Sequence, residues 1–139
     1  MTQRPLQSLL LTTAQIAVSE GSEVAKSPEA DALMPVLRDL FIALTPEGDR
    51  DLTARQICIF LLVHTEQGPH TVRGMAAKLD IAKTGVTRVL DRMELLDLLK
   101  RRPDPEDRRS VLISRTLKGS AFFTSIKVSL PTDFELPSS

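Results

Sequence analysis

The sequence predicts a mainly α-helical domain with one small β-hairpin. Three observations carry that class. Apolar residues recur at helical spacing through much of the 139-residue chain. Segment 71–96 divides into two such runs joined by the short connection Asp80-Ile81-Ala82, which reads as a helix-turn-helix. Directly after it, Leu98-Leu99 and Ser110–Ser114 read as strands flanking the charged loop KRRPDPEDRR. A chain of 139 residues fits one domain, 1–139, able to bury a core without metal or disulfide staples.

The elements follow in order. Residues 5–19 predict a first helix, with Pro5 in its first turn and Leu6, Leu9, Leu10, Thr13 and Ala17 on one face. Ser27-Pro28-Glu29 reads as an N-cap, a first-turn proline and an acid at the positive end of a second helix. Leu33, Val36, Leu37, Leu40, Phe41 and Leu44 form its apolar stripe, and Pro35 inside the run predicts a kink or a restart. TPEGD, 45–49, is a turn. Thr53 and Gln56 match a capping box, which tips the apolar run ICIFLLV, 57–63, from strand to buried helix, and Gly68-Pro69 ends it. Thr71 caps a short helix carrying Val72, Met75, Ala76 and Leu79. The next helix, about 83–96, buries Val86, Val89, Leu90, Met93 and Leu96 and shows Lys83, Thr84, Thr87, Arg88, Asp91 and Arg92 on its other face. Pro103 and Pro105 stiffen the hairpin loop and stop strand pairing from continuing outward. Thr116 caps a last helix through Leu117, Ala121, Phe122 and Ile126, which Pro131 stops, and 131–139 is a loose tail.

Composition narrows the function. Formal net charge is zero, yet residues 71–118 hold twelve Lys/Arg against seven Asp/Glu, an excess of five cations balanced by an equal acidic excess elsewhere. That is the pattern of a DNA-contacting module on an acidic body; a surface that is basic by chance remains the other reading. Phe is the only aromatic type, which argues against stacking platforms for single-stranded nucleic acid. The single cysteine, Cys58, excludes an intrachain disulfide framework and a multi-cysteine zinc site. The start lacks a signal-peptide apolar core and the length of a membrane span, so a cytoplasmic location is expected.

The segments LTARQ, TVRGMAAKLDIAKTGVTRVLDRMELLDLLKR and DPEDRRSVLISRTLKG, in that order, resemble the winged helix-turn-helix core of the MarR family of bacterial transcriptional regulators. The likeness covers about 52–120. Its most specific parts are Asp107-x-Arg109 in the wing, with Thr116 and Gly119 downstream, and VTRVLDRME in the helix before it. The resemblance implies a homodimer binding pseudo-palindromic double-stranded DNA, usually as a repressor, with the helix from Lys83 in the major groove and the wing tip in the neighbouring minor groove. It also implies that small aromatic acids or thiol oxidation relieve binding. The sequence departs from the family pattern at Asp97 in place of Gly, at Ala82 in place of a Ser/Thr cap, and at Arg115 in place of Leu before Thr116. Family members usually end in one or two long dimerising helices. Here about a dozen helical residues precede Pro131, so the N-terminal helices, 1–48, are expected to carry dimerisation beside a shortened C-terminal region.

On this reading Lys83, Arg88, Arg92, Lys100, Arg101 and Arg102 are candidate phosphate contacts, because neutralising phosphates releases counterions. Thr84 and Thr87 are short enough to approach base edges, Gly85 leaves room beside them, and Arg88 suits bidentate readout of guanine. Arg108 and Arg109 suit a narrow, electronegative minor groove. Asp107 is expected to orient a neighbouring arginine, since phosphate repels a carboxylate. For each of these side chains the bland reading is a surface salt bridge. His64, Glu66 and His70 hint at a metal site but lack the downstream cysteine pair of the zinc deaminase pattern. Cys58 reads as a buried thiol before a redox sensor. No nucleophile–base arrangement or phosphate-cradling glycine loop stands out, so no catalysis, metal or cofactor is expected. The alternative function is a winged-helix interaction module docking on another regulator or polymerase with weak DNA contact. A small-molecule sensor is a third, for which the sequence offers no convergent polar groups.

Overall fold

The computed structural model describes residues 28–45 and 51–132. The expected helix 5–19, most of the turn 45–49 and most of the tail fall outside these residues. Among the described residues five helices and three strands follow one another: α1 Pro28–Leu44, α2 Ala54–Thr65, β1 His70–Thr71, α3 Val72–Leu79, α4 Lys83–Leu95, β2 Leu99–Pro103, β3 Val111–Arg115 and α5 Leu117–Ser129. The strands form one antiparallel sheet in the order β1-β3-β2. The hairpin expected from sequence is therefore extended by a third strand. His70 pairs with Ile113 and Thr71 with Leu112, so a two-residue strand exists only because β3 lies beside it. The hairpin strands also lie one residue later than expected at their starts, at Leu99 and Val111.

Caps explain where the helices begin. Thr53 Oγ accepts the Gln56 amide at 3.3 Å and the Gln56 side chain takes the Thr53 amide at 2.9 Å, the reciprocal box that starts α2. Thr71 accepts the Gly74 amide at 2.9 Å and Thr116 the Gly119 amide at 2.8 Å. Ala82 gives α4 no side-chain cap. Two aspartates end helical turns in the left-handed region, Asp80 at φ 52° and Asp97 at φ 57°. Asp tolerates that conformation through local hydrogen bonding, so Asp97 serves where the family usually has Gly.

The core lies under the sheet and between α2, α4 and α5. Ile59, Phe60, Val86, Leu90, Met93 and Leu99 are fully buried, and Ile113 and Ile126 nearly so. Burying such side chains stabilises the fold by about 1.5–3 kcal/mol each before entropy is charged against them. The run ICIFLLV is helical and mostly buried, as the capping box indicated. At the base of the wing Thr116 Oγ donates to the Asp97 carbonyl at 2.6 Å while accepting from Gly119. A Cβ on Gly119 would stand 2.0 Å from the Leu98 carbonyl oxygen. Thr116 and Gly119 thus clamp α5 onto the turn after α4.

Helix α1 forms over the expected stripe and does not restart at Pro35. It runs through Pro35 without interruption. Pro35 is exposed, so the Asp31 carbonyl that loses its helical donor can turn to water. Of its apolar stripe only Leu44 is buried. No helix among the described residues is long and apolar enough to cross a membrane.

Candidate nucleic-acid interface

Helix α4 holds the first group of candidates. Val86, Val89, Leu90 and Met93 lock one face into the core, which leaves Lys83, Thr84, Thr87 and Arg88 exposed on the other. The Thr87 hydroxyl donates to the Lys83 carbonyl at 3.0 Å, which fixes its rotamer and leaves its methyl group and free lone pair for an incoming group. Arg92 is half-buried in the last turn.

The wing tip is held by its acids. Asp104 accepts the Glu106 amide at 2.9 Å and Asp107 accepts the Arg109 amide at 3.0 Å, two turns closed by an aspartate side chain. The Asp104 amide donates back to the Ser110 carbonyl at 3.2 Å. Asp107 thus orients Arg109 through the backbone, and Arg108 and Arg109 stand exposed at the tip.

Between α4 and the wing lies an open concavity of about 680 Å³. Lys83 and Thr87 line it from α4, Arg101 and Arg109 from the wing, and Arg73 from the first turn of α3. Four cations face it with Asp107 as the single carboxylate in its lining. A second concavity, about 440 Å³, flanks α4 on the side of α2 and brings Arg88, Gly85 and Arg55 together. The Arg55 guanidinium lies 3.7 Å from where a Cβ on Gly85 would be, so the glycine is not needed for close packing there.

Sequence reasoning missed Arg55 and Arg73 as members of this surface. Arg55 was legible only as part of a helix start, and Arg73 only as one of many cations. Their places depend on how three helices pack, which no local pattern records.

The candidate cations of β2 divide by face. Arg101 points toward α4: its guanidinium meets Asp91 and Glu94 at 2.7 Å each, and its amide donates to Glu94 at 2.7 Å. These bonds hold the Glu94 carboxyl below its ordinary range, the Arg101 side chain acting first and its amide second. Arg101 thereby ties the wing to α4 with much of its charge answered. Lys100 and Arg102 alternate with it and project to the opposite face of the sheet, where they line a separate concavity. The ten residues expected on one surface are therefore brought together only in part.

His64, Glu66 and His70 do not converge. His64 Nδ1 meets the Phe60 carbonyl, His70 Nε2 meets the Glu66 carbonyl, and the Glu66 carboxylate pairs with Lys78. The half-buried Cys58 thiol is pushed up by burial, which keeps it protonated.

Comparison with known proteins fits this geometry. Residues 52–111 match the MarR family. Among solved structures, a MarR-like transcriptional regulator from Thermotoga maritima is 29% identical, covers 71% of this chain and 70% of its own, and superposes with a TM-score of 0.55. MarR from E. coli in its apo form is 25% identical, over 75% of this chain and 74% of its own, with a TM-score of 0.57. A mutant of E. coli MarR complexed with operator DNA is 25% identical, over 75% and 71%, with a TM-score of 0.57. No curated protein sequence matches the chain. A capped buried α2, a helix-turn-helix and a wing clamped by Thr116 and Gly119 agree with these likenesses: residues 52–111 match the MarR family model, and the chain has the fold of solved MarR-type transcriptional regulators.

Proposed function

We propose that this protein is a cytoplasmic, homodimeric repressor that binds double-stranded DNA sequence-specifically. The observation that carries the reading is the concavity into which Arg73, Lys83, Arg101 and Arg109 converge from α3, α4 and the wing. A cationic surface split between a helix and a hairpin suits two adjacent grooves of a duplex. In this reading α4 enters the major groove. Thr84, Thr87 and Arg88 face base edges, and Arg55, Arg73, Lys83 and Arg92 meet phosphates. Arg108 and Arg109 reach the minor groove, and Arg101 positions the wing. The operator complex of the E. coli MarR mutant supports the assignment by likeness. A second copy of the chain covers the apolar face of α1, where Met34 is 61% and Phe41 53% exposed.

Gel-shift titration of the chain's own upstream region against random duplex tests this. Preference for the upstream region, falling steeply with salt, is expected, and Arg88→Ala relaxes that preference by about 1–3 kcal/mol while Lys83→Ala weakens all duplexes alike. Equal affinity for both duplexes counts against sequence-specific binding. Benzoate added to the same assay tests relief by a small aromatic acid.

The exposed face of α1 also favours a second reading, an interaction module docking on another regulator or polymerase. Light scattering separates the two: a monomer with micromolar affinity for every duplex supports the module.

A further inference from the structure

Near the end of α2 one concavity gathers positive groups from both faces of the wing sheet, Lys100, Arg102 and Ser114 from the face turned away from α4 and His70 and Arg115 from the other, where the register sets them level with Ile113 and Leu99. This open concavity of about 430 Å³ is lined by His70 of β1, Lys100 and Arg102 of β2, and Ser114 and Arg115 of β3. No carboxylate lines it. Lys100 and Arg102 are two residues apart on one strand face, so their side chains rise side by side, roughly 6–7 Å apart at the backbone. Ser114 stands directly across from Lys100 in the register. Arg115 is anchored, its Nε donating to the Val63 carbonyl at the end of α2 at 3.0 Å. The contrast with Arg101 is sharp: the inward cation of β2 has two carboxylates, whereas Lys100 and Arg102 have no ion pair among the described residues. The concavity shares no lining residue with the one between α4 and the wing.

We propose that this concavity, where Lys100 and Arg102 meet Arg115 and His70, binds a compact oxyanion bearing two or more negative charges, a phosphate ester or a polycarboxylate, at a site separate from the surface assigned to DNA. Lys100 and Arg102 supply charge, Arg115 a fixed guanidinium fork, and Ser114 a neutral donor. His70 makes the site proton-linked. Its Nε2 meets the Glu66 carbonyl, so Nε2 carries the hydrogen and Nδ1 is the nitrogen that protonates. Burial first, and Arg115 second, hold the imidazole below its ordinary value, while Glu66 and Lys78, which face His70 from its other side, are paired with each other. An anion offsets the positive charge of Arg115, so binding raises the His70 titration point and strengthens as pH falls.

The test is NMR of the full chain at constant ionic strength, titrated with inorganic pyrophosphate and, separately, citrate. The expected result is a saturable shift confined to the amides of Lys100, Arg102, Ser114 and Arg115 and to the His70 ring, with His70 titrating at higher pH. Tighter pyrophosphate binding identifies a phosphate ester, and tighter citrate binding a polycarboxylate. The double variant Lys100→Gln, Arg102→Gln, at two exposed positions, weakens binding by about tenfold or more with an unchanged melting curve, whereas Arg109→Gln leaves it intact. Shifts that never saturate, that spread equally over Lys83 and Arg109, or that survive the double variant overturn the proposal. Displacement of bound pyrophosphate by saturating duplex also overturns it, because Lys100 and Arg102 then belong to the DNA surface. Failure of duplex binding in the gel shift has no bearing on this site, so the two readings fail separately.

Discussion

Helices α1 and α4 carry apolar stripes of the same spacing and bury them to opposite extents. In α4, Val86, Leu90 and Met93 are 0% exposed. In α1, Leu33 is 42% and Phe41 53% exposed. The difference lies in what surrounds each helix. Helix α4 packs against α2, α3 and β2, while α1 leans chiefly on α5. Periodicity therefore tells which face of a helix favours burial, and the rest of the fold decides whether one chain satisfies it. The α1 face satisfies the same preference only if something outside the described residues covers it.

Truncation separates the two helices most strongly. Leu90→Ala in α4 is expected to cost about 3–4 kcal/mol in urea unfolding, because Leu90 is enclosed on all sides. Leu37→Ala with Phe41→Ala in α1 is expected to change unfolding at concentrations where the chain is monomeric by no more than about 1 kcal/mol. The same pair weakens self-association in sedimentation experiments. Equal folding costs for the two variants break the comparison, since α1 is then as much core as α4.

Gly119→Ala is next in size. Helix α5 packs against α1 and, through Gly119, rests on the Leu98 carbonyl just beyond α4. A methyl group 2.0 Å from that oxygen forces α5 outward. A loss of about 3 kcal/mol in thermal unfolding is expected, the upper part of the overpacking range. The α1 surface moves with α5, so association falls in parallel.

The wing sharpens the comparison on a smaller scale. Arg101→Gln removes the bonds to Asp91 and Glu94 and costs roughly 1 kcal/mol of stability, a modest figure because the pair is partly solvated. Its more specific mark is electrostatic. The depressed carboxyl of Glu94 contributes stability that is present above the ordinary carboxylate range and is lost as pH falls through its lowered folded value. In Arg101→Gln the Glu94 titration moves back toward ordinary carboxylates, measured by NMR. An unchanged Glu94 titration removes the positioning role given to Arg101.

These cases show what the sequence made legible. Thr53 with Gln56, and Thr116 with Gly119, are local patterns whose hydrogen bonds depend on residues three apart, and the structure contains them. Strand β1 was not legible, because two residues acquire strand pairing only from a partner forty positions away. Of the two outcomes Pro35 allowed, a restart does not occur, since a proline whose turn faces water need not end a helix. The cations of the wing were legible as a set and not as individuals. Lys100, Arg101 and Arg102 look alike in sequence, and only the pleat of β2 sends the middle one to carboxylates and its neighbours to the outer face.

The finest test lies where α2 meets α5. His64 is 8% exposed, tilted against Phe60 with ring centroids 4.3 Å apart and stacked on Phe123 at 5.0 Å. Its Nδ1 faces the Phe60 carbonyl at 2.9 Å, which assigns the hydrogen to Nδ1, and its Nε2 is buried without a partner among the described residues. A proton on Nε2 would place a buried cation near Arg115. Burial first lowers the His64 titration point, the Phe60 carbonyl opposes this, and Arg115 adds to it. The folded value thus lies below the unfolded value of about 6.5. Above the unfolded value both states are neutral and the contribution is constant. Below it the unfolded chain takes the proton first, so stability falls as pH drops toward the folded value. His70 titrates in the same direction and supplies a smaller share, being less deeply buried. Urea unfolding at pH 7.5 and pH 5.0, above the window where Glu94 acts, is therefore expected to show a loss that His64→Phe reduces and His70→Gln reduces less. If His64→Phe keeps the full loss, the α2–α5 contact tolerates a charge, and the packing there resembles the open side of α1 more than the closed side of α4.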